Sequence, residues 1–201
     1  MKFNKAIMIA EGKGNKLLLL DIDDTIVKAK GIHIYKKTEN GEIALTPDEF
    51  AKENVNSENK HLYDLRDFRD AEKVSSSIKK GKPVIEVLNY MDDMIKKGYR
   101  IGILTARGME QVIKGTLQSW LMYKKHGKLR DIGNKLKEVF AVNDSVKKYK
   151  GANSFEKKAN VMKDLSKRYD KIIFIDDDEK NIQAVNNLHL PNVQAKNVED
   201  I

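Results

Sequence analysis

Asp21-Ile22-Asp23-Asp24-Thr25 places three carboxylates and a hydroxyl in five consecutive residues, directly after the apolar run Leu17-Leu18-Leu19-Leu20. Asp21 and Asp23 are two residues apart, so an extended backbone points them to the same side. Two such carboxylates repel each other unless a cation or a shared proton intervenes. Two later stretches supply complementary groups. Thr105-Ala106-Arg107 follows the apolar Tyr99 to Leu104, and Asp176-Asp177-Asp178 follows Ile172-Ile173-Phe174-Ile175. Lys157 and Lys158 precede the second of these. The set offers oxygen ligands for a hard cation, which suits Mg²⁺. A carboxylate beside such a cation can attack phosphorus, because the metal and a lysine offset its repulsion from the phosphate. A second carboxylate can then protonate the leaving oxygen. The plainer reading of the first stretch is an acidic turn after a core strand.

These residues need strand ends to hold them. A four-leucine run reads as a strand buried on both faces of a parallel sheet, spanning about Lys16 to Ile22. Ligands of open α/β sheets bind just outside the carboxyl ends of such strands. Pro83 to Gly98 reads as a helix, with Val84, Val87, Leu88, Met91, Met94 and Ile95 on one face. Tyr99 to Leu104 is a second strand. An amphipathic helix from Met109 to Leu121 follows, with Gly115 inside it and Trp120 in the core. Val139 to Val142, Lys171 to Ile175 and Val193 to Val198 complete the strands. The intervening helices are one capped by Ser154 and running to about Tyr169, and one over Glu179 to Asn187. Strands alternating with helices imply a parallel sheet covered on both faces, and right-handed crossovers bring the strand ends to one edge.

Residues 29–80 read as an insertion into this pattern. Ile32/Ile34 and Ile43/Leu45 alternate around Asn40-Gly41, a hairpin signal. Thr46-Pro47-Asp48-Glu49 has the cap, first-position proline and third-position glutamate of a short helix ending near Lys52. The pattern from Glu53 to Lys82 is irregular, and Ser75-Ser76-Ser77 reads as a loop returning to the main body. Tyr63, Arg66, Phe68 and Arg69 are candidates to line a pocket for an aromatic base or a phosphate. The alternative is that Tyr63 and Phe68 form the insertion's own small core.

The pattern resembles the haloacid dehalogenase superfamily of phosphohydrolases. Asp21-x-Asp23-x-Thr25 is similar to its first motif and Ile103-Leu104-Thr105-Ala106-Arg107 to its second. A lysine at 157 or 158 is similar to the third, and Phe174-Ile175-Asp176-Asp177 with Asn181 to the fourth. The resemblance covers about residues 16–28 and 83–185. It implies a Rossmann-like three-layer α/β/α core from 1–28 and 81–201, with 29–80 as a small cap. It implies Mg²⁺ held by Asp21, Asp23 (through its carbonyl), Asp176 and Asp177. Asp21 would be the nucleophile that becomes an aspartyl-phosphate, Asp23 the general acid/base and Thr105 a donor to a phosphoryl oxygen. Lys158 is the preferred phosphate-binding lysine, because Lys-Ala-x-Val resembles the usual run into that helix, with Lys157 the rival. Thr25, Ala106, Arg107 and Lys157 are the candidate substrate contacts. Thr25 is alternatively structural, and Arg107 alternatively binds a neighbouring carboxylate. Asp24 stands where many relatives have glycine. Retention of Asp23 argues against the dehalogenase branch, which works without this acid.

Composition narrows the setting. A chain of 201 residues with 40% hydrophobic and 34% charged residues can bury a core. It lacks cysteine, so disulfide and thiol chemistry are excluded. No apolar run spans a bilayer, and within Met1 to Ala10 the apolar patch Ala6 to Ala10 is too short for a signal-peptide core, so a cytoplasmic protein without membrane association is expected. The formal net charge is +8. Residues 124–150 hold nine Lys/Arg against three Asp/Glu. That stretch is either a weak polyanion-binding surface or a solvated lysine-rich face. The expected partner is a phosphorylated small molecule or a nucleic-acid end. Three readings follow: a phosphomonoesterase acting on nucleotides or nucleic-acid terminal phosphates, a small-metabolite phosphatase, or the same fold as a nucleic-acid-binding or assembly module without turnover.

Overall fold

The computed structural model describes residues 15–56, 58–123, 129–146 and 149–201. The first strand, β1 (Lys16–Leu20), is followed by the short β2 (Val27–Lys28). The hairpin strands β3 (Ile34–Thr38) and β4 (Gly41–Leu45) come next, then helix α1 (Pro47–Ala51) and β5 (Tyr63–Asp64). Helix α2 (Ala71–Lys80), β6 (Lys82–Pro83), α3 (Ile85–Lys96) and β7 (Tyr99–Thr105) follow. The chain ends through α4 (Glu110–Tyr123), α5 (Leu129–Lys135), β8 (Leu136–Ala141), α6 (Ser154–Leu165), β9 (Lys171–Asp176), α7 (Glu179–Asn186) and β10 (Val193–Asn197).

The main sheet has five strands in the order β10-β9-β1-β7-β8, all parallel. Helices cover both faces, so the architecture is a three-layer α/β/α fold of Rossmann-like type. No described helix is long and apolar enough to cross a membrane.

The leucine run shows why the strand lacks alternation. Leu18 and Leu20 belong to one buried cluster with Met91, Ile103 and Leu117, while Leu17 and Leu19 belong to another with Met162, Leu165 and Phe174. A central parallel strand has no solvent face, so all four positions are apolar. Gly102 on β7 sits where this packing is tight. A Cβ there would lie 2.9 Å from Leu19 Cδ2 and 3.3 Å from the Glu138 carbonyl oxygen.

Residues 29–81 are inserted between β2 and β6, which pair antiparallel. Within them β3, β4 and β5 form a separate antiparallel sheet in the order β4-β3-β5. The hairpin turn sits at Glu39-Asn40 rather than Asn40-Gly41, because Thr38 pairs with Gly41. Gly41 supplies the turn's positive φ of 120°. Helix α1 has the expected capping box: Glu49 N donates to Thr46 Oγ1, and Thr46 N donates to the Glu49 carboxylate.

Three expectations are corrected. Ser75-Ser76-Ser77 is helical, not a loop: the Asp70 side chain caps α2 through Glu72 N and Lys73 N, and Val74, Ser77 and Ile78 form its buried face. Pro83 does not start a helix. It pairs with Val27 in β6, and Val84 N donates to Ile26 O, so helical geometry begins at Ile85. Helix α6 is capped by Asn153, whose side chain accepts from Glu156 N, with Ser154 its first residue, and it ends at Leu165 rather than near Tyr169.

Candidate active site

Register and parity assemble the site. Leu20 pairs with Ile103 on one side and Ile175 on the other, so the residues after β1, β7 and β9 emerge together at one sheet edge. Asp21 follows the parity of Leu17 and Leu19, and Asp176 that of Ile172 and Phe174. Both therefore point to the face covered by α6. Asp21 is anchored there by donating its own N–H to the Ile175 carbonyl at 3.0 Å.

Lys158 rises from α6 to meet them. Its Nζ lies 3.1 Å from Asp21 Oδ1 and 2.8 Å from Asp176 Oδ2, and the residue is 1% exposed. The other Asp176 oxygen accepts from Asn181 Nδ2 at 2.9 Å and from Asp178 N at 3.0 Å. Lys157, the rival, points elsewhere and donates to Asn143 Oδ1 at 2.9 Å. Helical spacing separates the two: Lys158 shares its face with Met162 and Leu165, which are buried.

The electrostatics follow from crowding. Burial pushes the Asp21 carboxyl up to about 7; Lys158 works against this, while Asp176 and Asp23 add to it. Burial also raises Asp176, against the pull of Lys158 and the Asn181 hydrogen bond. Burial alone would lower Lys158, but attraction to Asp21 and Asp176 outweighs it and holds the ammonium above its usual range.

Asp21, Asp176 and Asp177 can each offer a carboxylate oxygen within 4.8 Å of the others. All donors are hard oxygens, and three carboxylates face one lysine. That donor set fits a small hard divalent cation such as Mg²⁺. Thr25 bridges to this group by donating its hydroxyl to Asp177 Oδ1 at 3.1 Å, and it is fully buried.

Asp23 has a different partner. Arg107 grips it bidentately, Nε to Oδ2 at 2.7 Å and Nη2 to Oδ1 at 2.6 Å. The guanidinium is buried and donates its remaining Nη1 to Ser77 Oγ at 3.0 Å. Of the two roles open for Arg107, the structure displays pairing with a neighbouring carboxylate. Thr105 is buried and its Oγ1 accepts the Arg107 N–H at 3.2 Å, which fixes the turn. Asp24 has φ 51°, a left-handed conformation that aspartate tolerates better than most residues. Its carboxyl is pushed up to about 7 by burial and then by Asp48 of α1.

A cavity of about 360 Å³ opens beside Asp23 and Arg107. Phe50, Leu65 and Phe68 of residues 29–81 wall one side, and Ala106, Asn143 and Ser154 the other. Phe68 lines it, with Arg69. Tyr63 instead packs edge-on against Phe50 at 5.3 Å and donates its hydroxyl to Glu53 at 2.7 Å. Arg66 lies 3.6 Å above the Tyr35 ring and pairs with Glu42. Thus of the four candidates, Phe68 and Arg69 line the cavity, and Tyr63 and Arg66 serve the local packing.

Ser77 and Asn143 are functional residues that the sequence motifs do not mark. Ser77 lay in a stretch read as loop; the Val74/Ile78 spacing after Asp70 is the signal that marks it as buried helix. Asn143, two residues past β8, carries no motif signal. Of the basic residues in 124–150, Lys124, Lys125, Lys128, Lys147 and Lys148 lie outside the described residues, as does Met1 to Ala10. No family model matches the chain, and no curated protein matches it.

Proposed function

We propose that the chain is a phosphomonoester hydrolase of the haloacid dehalogenase type, working through an aspartyl-phosphate on Asp21. The observation that carries this reading is the buried Lys158 ammonium lying between Asp21 and Asp176, with Asp177 completing a three-carboxylate group. A structural ion pair needs one carboxylate per lysine. Three carboxylates around one lysine leave a surplus of negative charge that a cation and a phosphate-bearing ligand would use.

Asp21, Asp176 and Asp177 would hold Mg²⁺, with the Asp23 carbonyl. When bound, the ion supplies positive charge that offsets the negative phosphoryl oxygens. The chain's own residues do the rest. An Asp21 carboxylate oxygen bonds to phosphorus as the bond from phosphorus to the leaving alcohol breaks, and Asp23 gives its proton to that alcohol oxygen. Lys158 holds Asp21 in line and neutralises part of the incoming charge. Asp23, then a carboxylate, takes a proton from water as the water oxygen bonds to phosphorus and the Asp21–phosphorus bond breaks. Arg107 orients Asp23 through both carboxylate oxygens, and one of them must be released from it to reach the leaving oxygen.

The test is release of inorganic phosphate from a panel of nucleotides, sugar phosphates and terminally phosphorylated oligonucleotides. Release should require Mg²⁺, stop in chelator and be abolished by Asp21→Asn. Chelator-resistant release, or full activity of Asp21→Asn, would overturn the mechanism.

A further inference from the structure

Helix α6 has two working faces. Lys158, Met162 and Leu165 turn inward, while Lys157, Asn160 and Asp164 share the outer face at helical spacing. That outer face forms one wall of a groove of about 520 Å³ against edge strand β8. Five basic residues line it, Lys150, Lys157, Lys163, Lys167 and Arg168, against the single acid Asp164. Lys167 pairs with Asp164 at 2.9 Å and Arg168 with Glu138 at 3.6 Å. Lys150 and Lys163 are exposed and make no ion pair with a described carboxylate. Phe140 and Tyr149, both half-buried, also line the groove.

The groove leads to the site already described. Asn143 lines the cavity beside Asp23, and its Oδ1 accepts from Lys157 of the groove at 2.9 Å. The next residue along the helix is Lys158, in contact with Asp21. A ligand in the groove therefore reaches, at its Lys157 end, the cavity that Asp23 lines.

We propose that this groove binds a single strand of nucleic acid and leads its phosphorylated end to Asp21. This rests on the hydrolase reading and names its substrate class. Surplus cations along a groove match a phosphodiester backbone, and half-buried aromatic rings give bases a surface to stack on. From Lys157 to Asp164 the helix rises about 11 Å, the length of about three stacked nucleotides. The apolar cavity at Phe50 and Phe68 then receives the terminal base.

Binding is measured by fluorescence anisotropy on Asp21→Asn protein, so that turnover does not consume the probe. The probes are a 3′-phosphorylated ten-nucleotide DNA strand, a mononucleotide and phosphatidylserine vesicles. The strand should bind at least tenfold more tightly than the mononucleotide at 50 mM salt. About three phosphate contacts give a log–log salt slope near −2, a roughly 15- to 20-fold loss of affinity between 50 and 200 mM. The double variant Lys150→Gln/Lys163→Gln should lower affinity at least fivefold and flatten the slope by about 1.4. A strand that binds no better than the mononucleotide, an unchanged slope in the double variant, or binding to the vesicles in place of the strand would overturn the proposal. If the strand binds as expected while no phosphoester is hydrolysed, the hydrolase reading falls and the groove stands. If small phosphoesters are hydrolysed and the strand does not bind, the groove falls and the hydrolase reading stands.

Discussion

Replacing the proposed nucleophile should make the metal-free protein more stable. Asp21 is 7% exposed and shares Lys158 with Asp176, so its ionised form is short of positive charge. Its carboxyl titrates near 7 in the fold, against an ordinary value near 3.8. The folded state therefore keeps a proton that the unfolded chain releases between about pH 4 and pH 7. Stability falls as pH rises through that window, and the full cost is present above it. Three pH units at about 1.4 kcal/mol each set a ceiling of about 4 kcal/mol. Relaxation of Lys158 toward Asp176 and entry of water reduce it, and half the ceiling is a gain of about 2 kcal/mol. For a chain of this length that corresponds to about 4–8 °C in Tm. Asp21→Asn, which carries no charge and keeps an oxygen for Lys158, should show this rise in chelator at pH 8. At pH 5, about one unit above the unfolded value, little more than a third of the cost has accrued, so the rise should shrink to about 2–3 °C. Differential scanning calorimetry at the two pH values decides it. A lower Tm for Asp21→Asn at pH 8 would mean that the ionised carboxylate is a net stabilising partner of Lys158, and the charge-surplus reasoning would fail.

The other predictions are read by thermal melting or urea unfolding. Lys158→Met leaves Asp21 and Asp176 facing each other without a cation, so it should cost about 3–5 kcal/mol in urea unfolding at pH 8 and much less at pH 5. Millimolar Mg²⁺ should raise the Tm of the wild type, and Asp177→Asn should remove most of that rise while changing the chelator Tm little. Gly102→Ala should cost about 1–3 kcal/mol, because its Cβ would press on Leu19 and the Glu138 carbonyl. A neutral Gly102→Ala would show that Leu19 has room to repack.

The core and the carboxylate group were legible because they depend on local rules. A strand buried on both faces must be apolar at every position, so Leu17 to Leu20 and Ile172 to Ile175 announced themselves. Parallel register then brings their following residues to one edge. The choice between Lys157 and Lys158 was not settled by the run of residues alone, since it depends on which way α6 rotates, and the buried partners Met162 and Leu165 decide it. Arg107 was open between two roles because its carboxylate partner Asp23 is 84 residues away, and Ser77, which also holds it, is 30 residues away. The helix that carries Ser77 was hidden by three consecutive serines, whose weak helical preference is overridden by the Asp70 cap and by burial of Val74 and Ile78. Asp24 facing Asp48, and Asn143 joining cavity to groove, are products of tertiary packing with no local signature.

The contact between Ser77 and Arg107 redraws the boundary of what can be exchanged in this protein. By sequence, the insertion runs from 29 to 80, and a replacement domain would be spliced at those ends. Helix α2 nonetheless belongs to the main body: Val74 and Ile78 lie in its core cluster, Ser75 bonds to Thr116, and Ser77 holds the arginine that holds Asp23. Splicing at 29 and 80 would strip that support away. A narrower neck exists at His33 and Asp67, where a backbone N–H meets a carboxylate oxygen at 3.1 Å. The segment between them begins and ends at nearly one point. A foreign segment joined across that neck would bring new surroundings to the cavity while leaving Asp21, Asp176, Lys158 and Arg107 as they are.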